Sequence, residues 1–210
     1  MSAFTDELKE AIKVREPHLF KNVLPDVPEF QAFLDHKRRA AKTAKWMARR
    51  DAPTYAIVYS DYLPTEYLLE KYPGMQHFRN ELLEVYGPQV DGSEKGLKEK
   101  PFIVVSESIV NRNGLPRHRD DTKQHHWCCV GSSYWTVWGD DNVTTWNFTL
   151  TPGDMIYIPV NMAHGVTSLT ETRGSIVLAA DIEPTTIEMQ KLDTEYYEAL
   201  NLQGVPRGAK

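Results

Sequence analysis

Two hydrophobic rhythms divide the chain near residue 100. Before it, apolar positions recur every three or four residues, the period of an amphipathic helix; after it they alternate, the period of a half-buried strand. Residues 5–14 place Leu8, Ala11 and Ile12 on one side, with Thr5 as N-cap and Asp6 and Glu7 in the first turn, where acids complement the helix dipole. A second helix is expected after the break Pro25-Asp26-Val27-Pro28, starting with Phe30, Phe33 and Leu34 and running through to Arg50. Residues 54–59 read as a strand, and 64–72 and 75–86 as helices parted by Pro73-Gly74. Residues 87–100 form a polar, glycine-containing loop.

From residue 101 the pattern predicts eight short strands, over 102–110, 115–120, 124–130, 134–138, 144–150, 155–160, 163–169 and 175–182. Turn signals separate them: Gly139-Asp140-Asp141-Asn142 stands between two Trp-bearing strands, and Thr151-Pro152-Gly153-Asp154 has Pro and Gly in the order of a type II turn. Many short strands with frequent turns point to a sandwich or jelly roll. Thr185-Thr186-Ile187-Glu188 resembles a capping box and opens a C-terminal amphipathic helix carrying Met189, Leu192, Tyr196 and Leu200 on one stripe. The expected organisation is a helix-rich extension over 1–100, a β core over 101–183 and a C-terminal helix and tail over 184–210. That last helix either covers the core or makes a homodimer contact.

Composition changes this picture little. At 210 residues the chain suits one domain with a substantial extension, and a net charge of −5 gives no support to a whole-protein nucleic-acid role. The local exception is the basic run 36–50, where Arg38, Lys42, Lys45 and Arg49 fall at helical spacing; it reads as a solvated face, with docking of an acidic partner as the alternative. Cys128 and Cys129 are adjacent and diverge in a strand, so reduced thiols are expected. Residues 1–7 lack signal-peptide features and no stretch has the length and apolarity of a membrane span, which suggests a soluble cytoplasmic protein.

Chemistry enters at Gly114-Leu115-Pro116-Arg117-His118-Arg119-Asp120. Side chains two apart in an extended segment share a face, so His118 and Asp120 can chelate one cation, whereas Asp121 faces away. A third ligand from a distant strand, His164, would complete the facial 2-His-1-carboxylate set that suits Fe(II) and leaves coordination positions open. A Zn²⁺ hydrolase has the same ligand types. Of the adjacent His125 and His126, at most one can face inward. Nine residues after His164, Arg173-Gly174-Ser175 places a guanidinium and a hydroxyl on one face, able to grip a single carboxylate.

These residues resemble the cupin-fold, JmjC-type Fe(II)/2-oxoglutarate-dependent oxygenases over about residues 101–182. Most characteristic is Leu150-Thr151-Pro152-Gly153-Asp154-Met155-Ile156-Tyr157-Ile158-Pro159 leading to His164; His118-x-Asp120 and Gly131-Ser132-Ser133-Tyr134-Trp135 support it. The resemblance implies a mainly β protein with a helical N-terminal extension and a double-stranded β-helix core. It implies metal ligands His118, Asp120 and His164, Fe(II) as the metal, 2-oxoglutarate and O2 as co-substrates, and hydroxylation coupled to release of succinate and CO2. Asn161 replaces a common cupin glycine, and Asn tolerates the left-handed backbone. Ser133 stands where the family often carries a basic residue for the distal carboxylate of 2-oxoglutarate, so Arg173 with Ser175 is expected as the anchor and Ser133 as a lesser contact. The substrate is unidentified, with a protein side chain favoured. Competing functions are a metal-dependent cupin isomerase, a dioxygenase independent of 2-oxoglutarate, and a non-catalytic binding module.

Overall fold

The computed structural model describes residues 3–24, 26–41, 46–48, 55–59, 74–98, 102–107, 113–184 and 186. The helices among them are α1 (Ala3–Val14), α2 (Phe30–Ala41) and α3 (Gly74–Tyr86). The strands are β1 (His18–Phe20), β2 (Trp46–Ala48), β3 (Tyr55–Tyr59), β4 (Phe102–Glu107), β5 (Asn113–His118), β6 (Thr122–Val130), β7 (Ser133–Trp138), β8 (Thr145–Leu150), β9 (Met155–Ile158), β10 (Ala163–Ser168) and β11 (Thr172–Ile182). All eight strands expected after residue 101 are present. A seven-stranded sheet runs β1-β9-β6-β11-β4-β3-β2, and a four-stranded sheet β5-β10-β7-β8. From β4 onward the chain switches sheets at every step except the β7–β8 hairpin, which generates the double-stranded β-helix.

Two local expectations are corrected. The helix expected to reach Arg50 ends at Ala41, and Trp46–Ala48 instead pair with β3, Trp46 opposite Val58 and Ala48 opposite Ala56. The free edge of β3 offers ladder hydrogen bonds that outweigh modest helical propensity; Lys42, Lys45 and Arg49 of the basic run lie outside the described residues. Thr5, expected as an N-cap, lies inside α1 and is fully buried, because the helix starts at Ala3. The segment before residue 101 also supplies β1, β2 and β3 to the larger sheet. The helices expected at 64–72 and 185–200 lie outside the described residues. Among the described residues no helix is long and apolar enough to cross a membrane.

The larger sheet separates two cores. On its outer face Trp127, Cys129, Tyr157, Ile176 and Leu178 pack with Leu8 of α1, Phe33 of α2 and Phe78 and Leu82 of α3. Its inner face meets the smaller sheet, where Cys128, Ile156 and Ile158 pack with Trp135, Val137 and Val166. Glycine is needed at Gly174, where a Cβ would come within 3.0 Å of the Phe33 ring. The Thr151–Asp154 turn has Gly153 at φ 95°, as a type II turn requires. Asp154 secures it by accepting from the backbone N–H of Thr151 at 2.8 Å, that of Asn22 at 2.9 Å and Lys21 Nζ at 2.7 Å.

Candidate active site

β5 and β10 are neighbours in the smaller sheet, and the register sets His118 opposite His164. Directly opposed side chains touch, so the two imidazoles meet with ring centroids 4.3 Å apart. Asp120, just beyond the end of β5, turns its Oδ2 to 3.3 Å from His164 Nε2 and 3.8 Å from His118 Nε2. One donor atom from each of the three lies within 4.8 Å of the others. His164 is buried and the other two are half-buried, so the cluster opens to solvent on one side.

The second coordination layer fixes this arrangement. His164 Nδ1 lies 2.9 Å from the Met162 carbonyl, which can only accept, so Nδ1 carries the hydrogen. In the neutral ring Nε2 then aims its lone pair at the Asp120 carboxylate. Two electron-rich atoms held face to face are what a cation between them relieves, and a carbonyl-tethered imidazole is the usual ligand arrangement. Burial raises the Asp120 pKa, but a protonated His164, through its hydrogen bond and charge, and then a protonated His118 more than offset it, holding the carboxyl well below its usual range. Ligand nitrogens and an ionised carboxylate fit a borderline divalent ion such as Fe(II).

Asn161 binds the ligand-bearing segments together. It takes the left-handed conformation at φ 59°, its N–H donates to the Asp120 carbonyl at 2.9 Å, its side chain donates to the Glu183 carbonyl at 2.8 Å, and its own carbonyl accepts from Arg119 at 2.6 Å. Sequence reading explained the backbone conformation but missed this positioning role, which depends on contacts distant along the chain.

Arg173 and Ser175 point into the space between the sheets, 1 % and 2 % exposed, while Gly174 between them faces Phe33. The Arg173 guanidinium carbon lies 5.3 Å from the Trp135 ring centroid, and the same indole stacks with His164 at a centroid distance of 6.0 Å. One aromatic side chain therefore bridges the His–Asp–His cluster and the buried guanidinium. Ser133 is also buried there, its Oγ accepting from Trp135 Nε1 at 2.9 Å. His126 faces the interior, its ring 4.6 Å from Trp135; burial, then the charges of His164 and Arg173, lower its pKa and keep it neutral. His125 faces outward as a core residue, with Nδ1 donating to Leu178 at 3.0 Å and Nε2 accepting from the Tyr86 hydroxyl at 2.9 Å. Asp121 is exposed and takes no part.

The architecture agrees with solved structures of low sequence identity. A ribosomal oxygenase of Escherichia coli, YcfD, aligns at 12 % identity with a TM-score of 0.57, covering 100 % of this chain and 58 % of that one. The α-ketoglutarate-dependent epimerase SnoN of nogalamycin biosynthesis aligns at 14 % identity with a TM-score of 0.58, covering 88 % and 87 %. A Pseudomonas putida prolyl-4-hydroxylase aligns at 10 % identity with a TM-score of 0.56, covering 86 % and 100 %. No protein-family model and no curated protein sequence matches the chain. The chain spans little more than half the length of the ribosomal oxygenase, and at these identities the likeness is one of fold: it shares the double-stranded β-helix of the cupin-type iron and 2-oxoglutarate oxygenases.

Proposed function

We propose that the protein is an Fe(II)- and 2-oxoglutarate-dependent oxygenase acting as a hydroxylase. The observation that carries this reading is the pairing of a His118–Asp120–His164 cluster with a buried Arg173 across Trp135 inside one β-helix. His118, Asp120 and His164 would hold Fe(II), and Arg173 with Ser175 would take the distal carboxylate of 2-oxoglutarate. The bound metal and co-substrate supply the oxidising chemistry, activating O2 at the expense of 2-oxoglutarate, which leaves as succinate and CO2.

The chain's own residues do the rest. Asp120 stays ionised and offers its Oδ2, while the Met162 carbonyl holds the His164 Nδ1–H so that Nε2 faces the metal position. Arg173 carries a permanent charge in a site closed to water, where a carboxylate gains most from a guanidinium. Trp135 and Val137 exclude solvent between the two ends. A protein side chain is the favoured substrate, since the half-exposed His118 and Asp120 leave the metal end accessible to a group presented from outside. The test is succinate release from 2-oxoglutarate under air with Fe(II): the wild type turns over without added substrate, Asp120→Ala does not, and equal rates in both would refute the assignment. The competing 2-oxoglutarate-independent enzymes would show no such release.

A further inference from the structure

Where α1 and α3 pack on the outer face of the larger sheet, they leave a cavity of about 250 Å³ lined by Lys9 and Ile12 of α1, Val85 and Tyr86 of α3, Lys123 of β6 and Asp181 of β11. Lys123 faces this side with Trp127 and Cys129, so the sheet separates the cavity from the His–Asp–His cluster. Alternation from Ile176, Leu178 and Ala180 would turn Asp181 into the barrel. A register shift between Ala180 and Ile182 and a left-handed φ of 45° turn it outward instead, bringing Oδ2 to 2.6 Å from Lys123 Nζ. A bulge that re-aims a side chain against the alternation of its strand is a built feature.

The floor of this cavity is charged and its walls are apolar. Lys123 and Asp181 are 15 % and 12 % exposed, and the ammonium also lies 5.5 Å from the Tyr86 ring centroid. Burial raises the Asp181 pKa, but the Lys123 hydrogen bond and the Gly96 N–H, which donates to Oδ1 at 2.9 Å, more than offset it. Both carboxylate oxygens are thus engaged, whereas the ammonium has three N–H donors and Asp181 takes one. Tyr86 commits its hydroxyl to His125 Nε2 and presents its ring. With Lys9 and Lys123 against Asp181 the lining is net positive, and Ile12, Val85 and Tyr86 supply carbon surface.

We propose that this cavity is a second ligand site, taking a small organic anion whose carboxylate meets Lys123 and Lys9 and whose apolar body lies between Ile12, Val85 and Tyr86. The volume falls just under the ~300 Å³ at which pockets for drug-sized molecules begin, so the ligand is small. The engaged Asp181 disfavours a cation, and the apolar walls disfavour a bare inorganic anion. A carboxylate held where Lys123 is largely shielded from water gains more than one on an open surface. The site stands apart from the oxygenase reading and does not depend on it.

The test is a titration of the full-length protein with phenylacetate, followed by amide proton–nitrogen NMR spectra, with 2-phenylethanol as the neutral analogue and inorganic phosphate as the anion without carbon surface. Phenylacetate should shift the Ile12, Tyr86, Gly96 and Lys123 resonances saturably with a Kd of about 1 mM or tighter, and both controls should bind at least about tenfold more weakly. Lys123→Met combined with Asp181→Asn removes the ammonium without leaving a buried carboxylate unpaired, and Asn keeps the left-handed backbone. This double variant should bind phenylacetate at least about tenfold more weakly. Ile12→Trp fills the cavity from a half-buried wall and should weaken binding as much with the ion pair intact. Phenylacetate shifts that are absent, that are confined to the barrel interior around Arg173, or that keep wild-type affinity in either variant would overturn the site, as would equal affinity for 2-phenylethanol or for phosphate.

Discussion

The two faces of the larger sheet are built from alternate residues of the same strands and do different work. Along β6, His125, Trp127 and Cys129 look toward the helices, while Gln124, His126 and Cys128 look into the barrel. Along β11 the outward set is Gly174, Ile176, Leu178 and Ala180, and the inward set begins Arg173, Ser175. On the outer face even the polar member, His125, has both ring nitrogens engaged by the fold itself. The inner face carries a guanidinium, a second imidazole and hydroxyls at a depth where polar groups are costly. The outer face is taken up by packing and the inner face carries the residues of the proposed chemistry, with a one-residue step in sequence separating them.

Substitutions that address one face at a time separate the two roles. The largest effect is expected at the metal cluster: His164→Ala should lose more than about a hundredfold in Co(II) affinity, measured by equilibrium dialysis, because only two ligands remain. On the outer face, Trp127→Ala removes a fully buried indole packed on Phe78, with ring centroids 5.9 Å apart, and should cost about 3–5 kcal/mol in denaturant unfolding. Its Co(II) affinity should stay within about threefold of wild type, and a joint loss would mean the faces are not separable.

A pH titration of stability isolates His125. Burial pulls its pKa down to about 4, against about 6.5 in an unfolded chain. Between those values the unfolded state binds a proton that the folded state refuses, so stability falls as pH drops from 6.5 to 4, by up to about 3 kcal/mol from this residue. His125→Gln should flatten that part of the profile, and an unchanged slope would place the titrating group elsewhere. The smallest effect is expected at His126, which lies between the cluster and Arg173. His126→Phe should shift 2-oxoglutarate affinity about fivefold while melting closer to wild type than His125→Gln.

Much of this was legible in the sequence because the relevant signals are local and periodic. Alternation located all eight β-helix strands, and the two-residue spacing of His118 and Asp120 survives although Asp120 falls past the strand end. The shared face of Arg173 and Ser175 follows from the same period. What could not be read depends on contacts between segments distant along the chain. The stop of α2 at Ala41 reflects a partner strand at 55–59, which no helical periodicity reports. Which of His125 and His126 turns inward depends on the placement of β6 within the sheet, and the role of Asn161 on the convergence of residues near 120, 161 and 183.

One barrel interior is proposed to bind a metal at His118, Asp120 and His164 and 2-oxoglutarate between that metal and Arg173. Titrating wild-type protein with 2-oxoglutarate, with and without saturating Co(II), tests it most directly, because a co-substrate that coordinates the metal gains affinity from it, and the coupling is reciprocal. One 2-oxoglutarate per chain and at least about a tenfold gain in affinity when the metal is present are expected. Equal affinity with and without the metal, or no binding in either state, would contradict it.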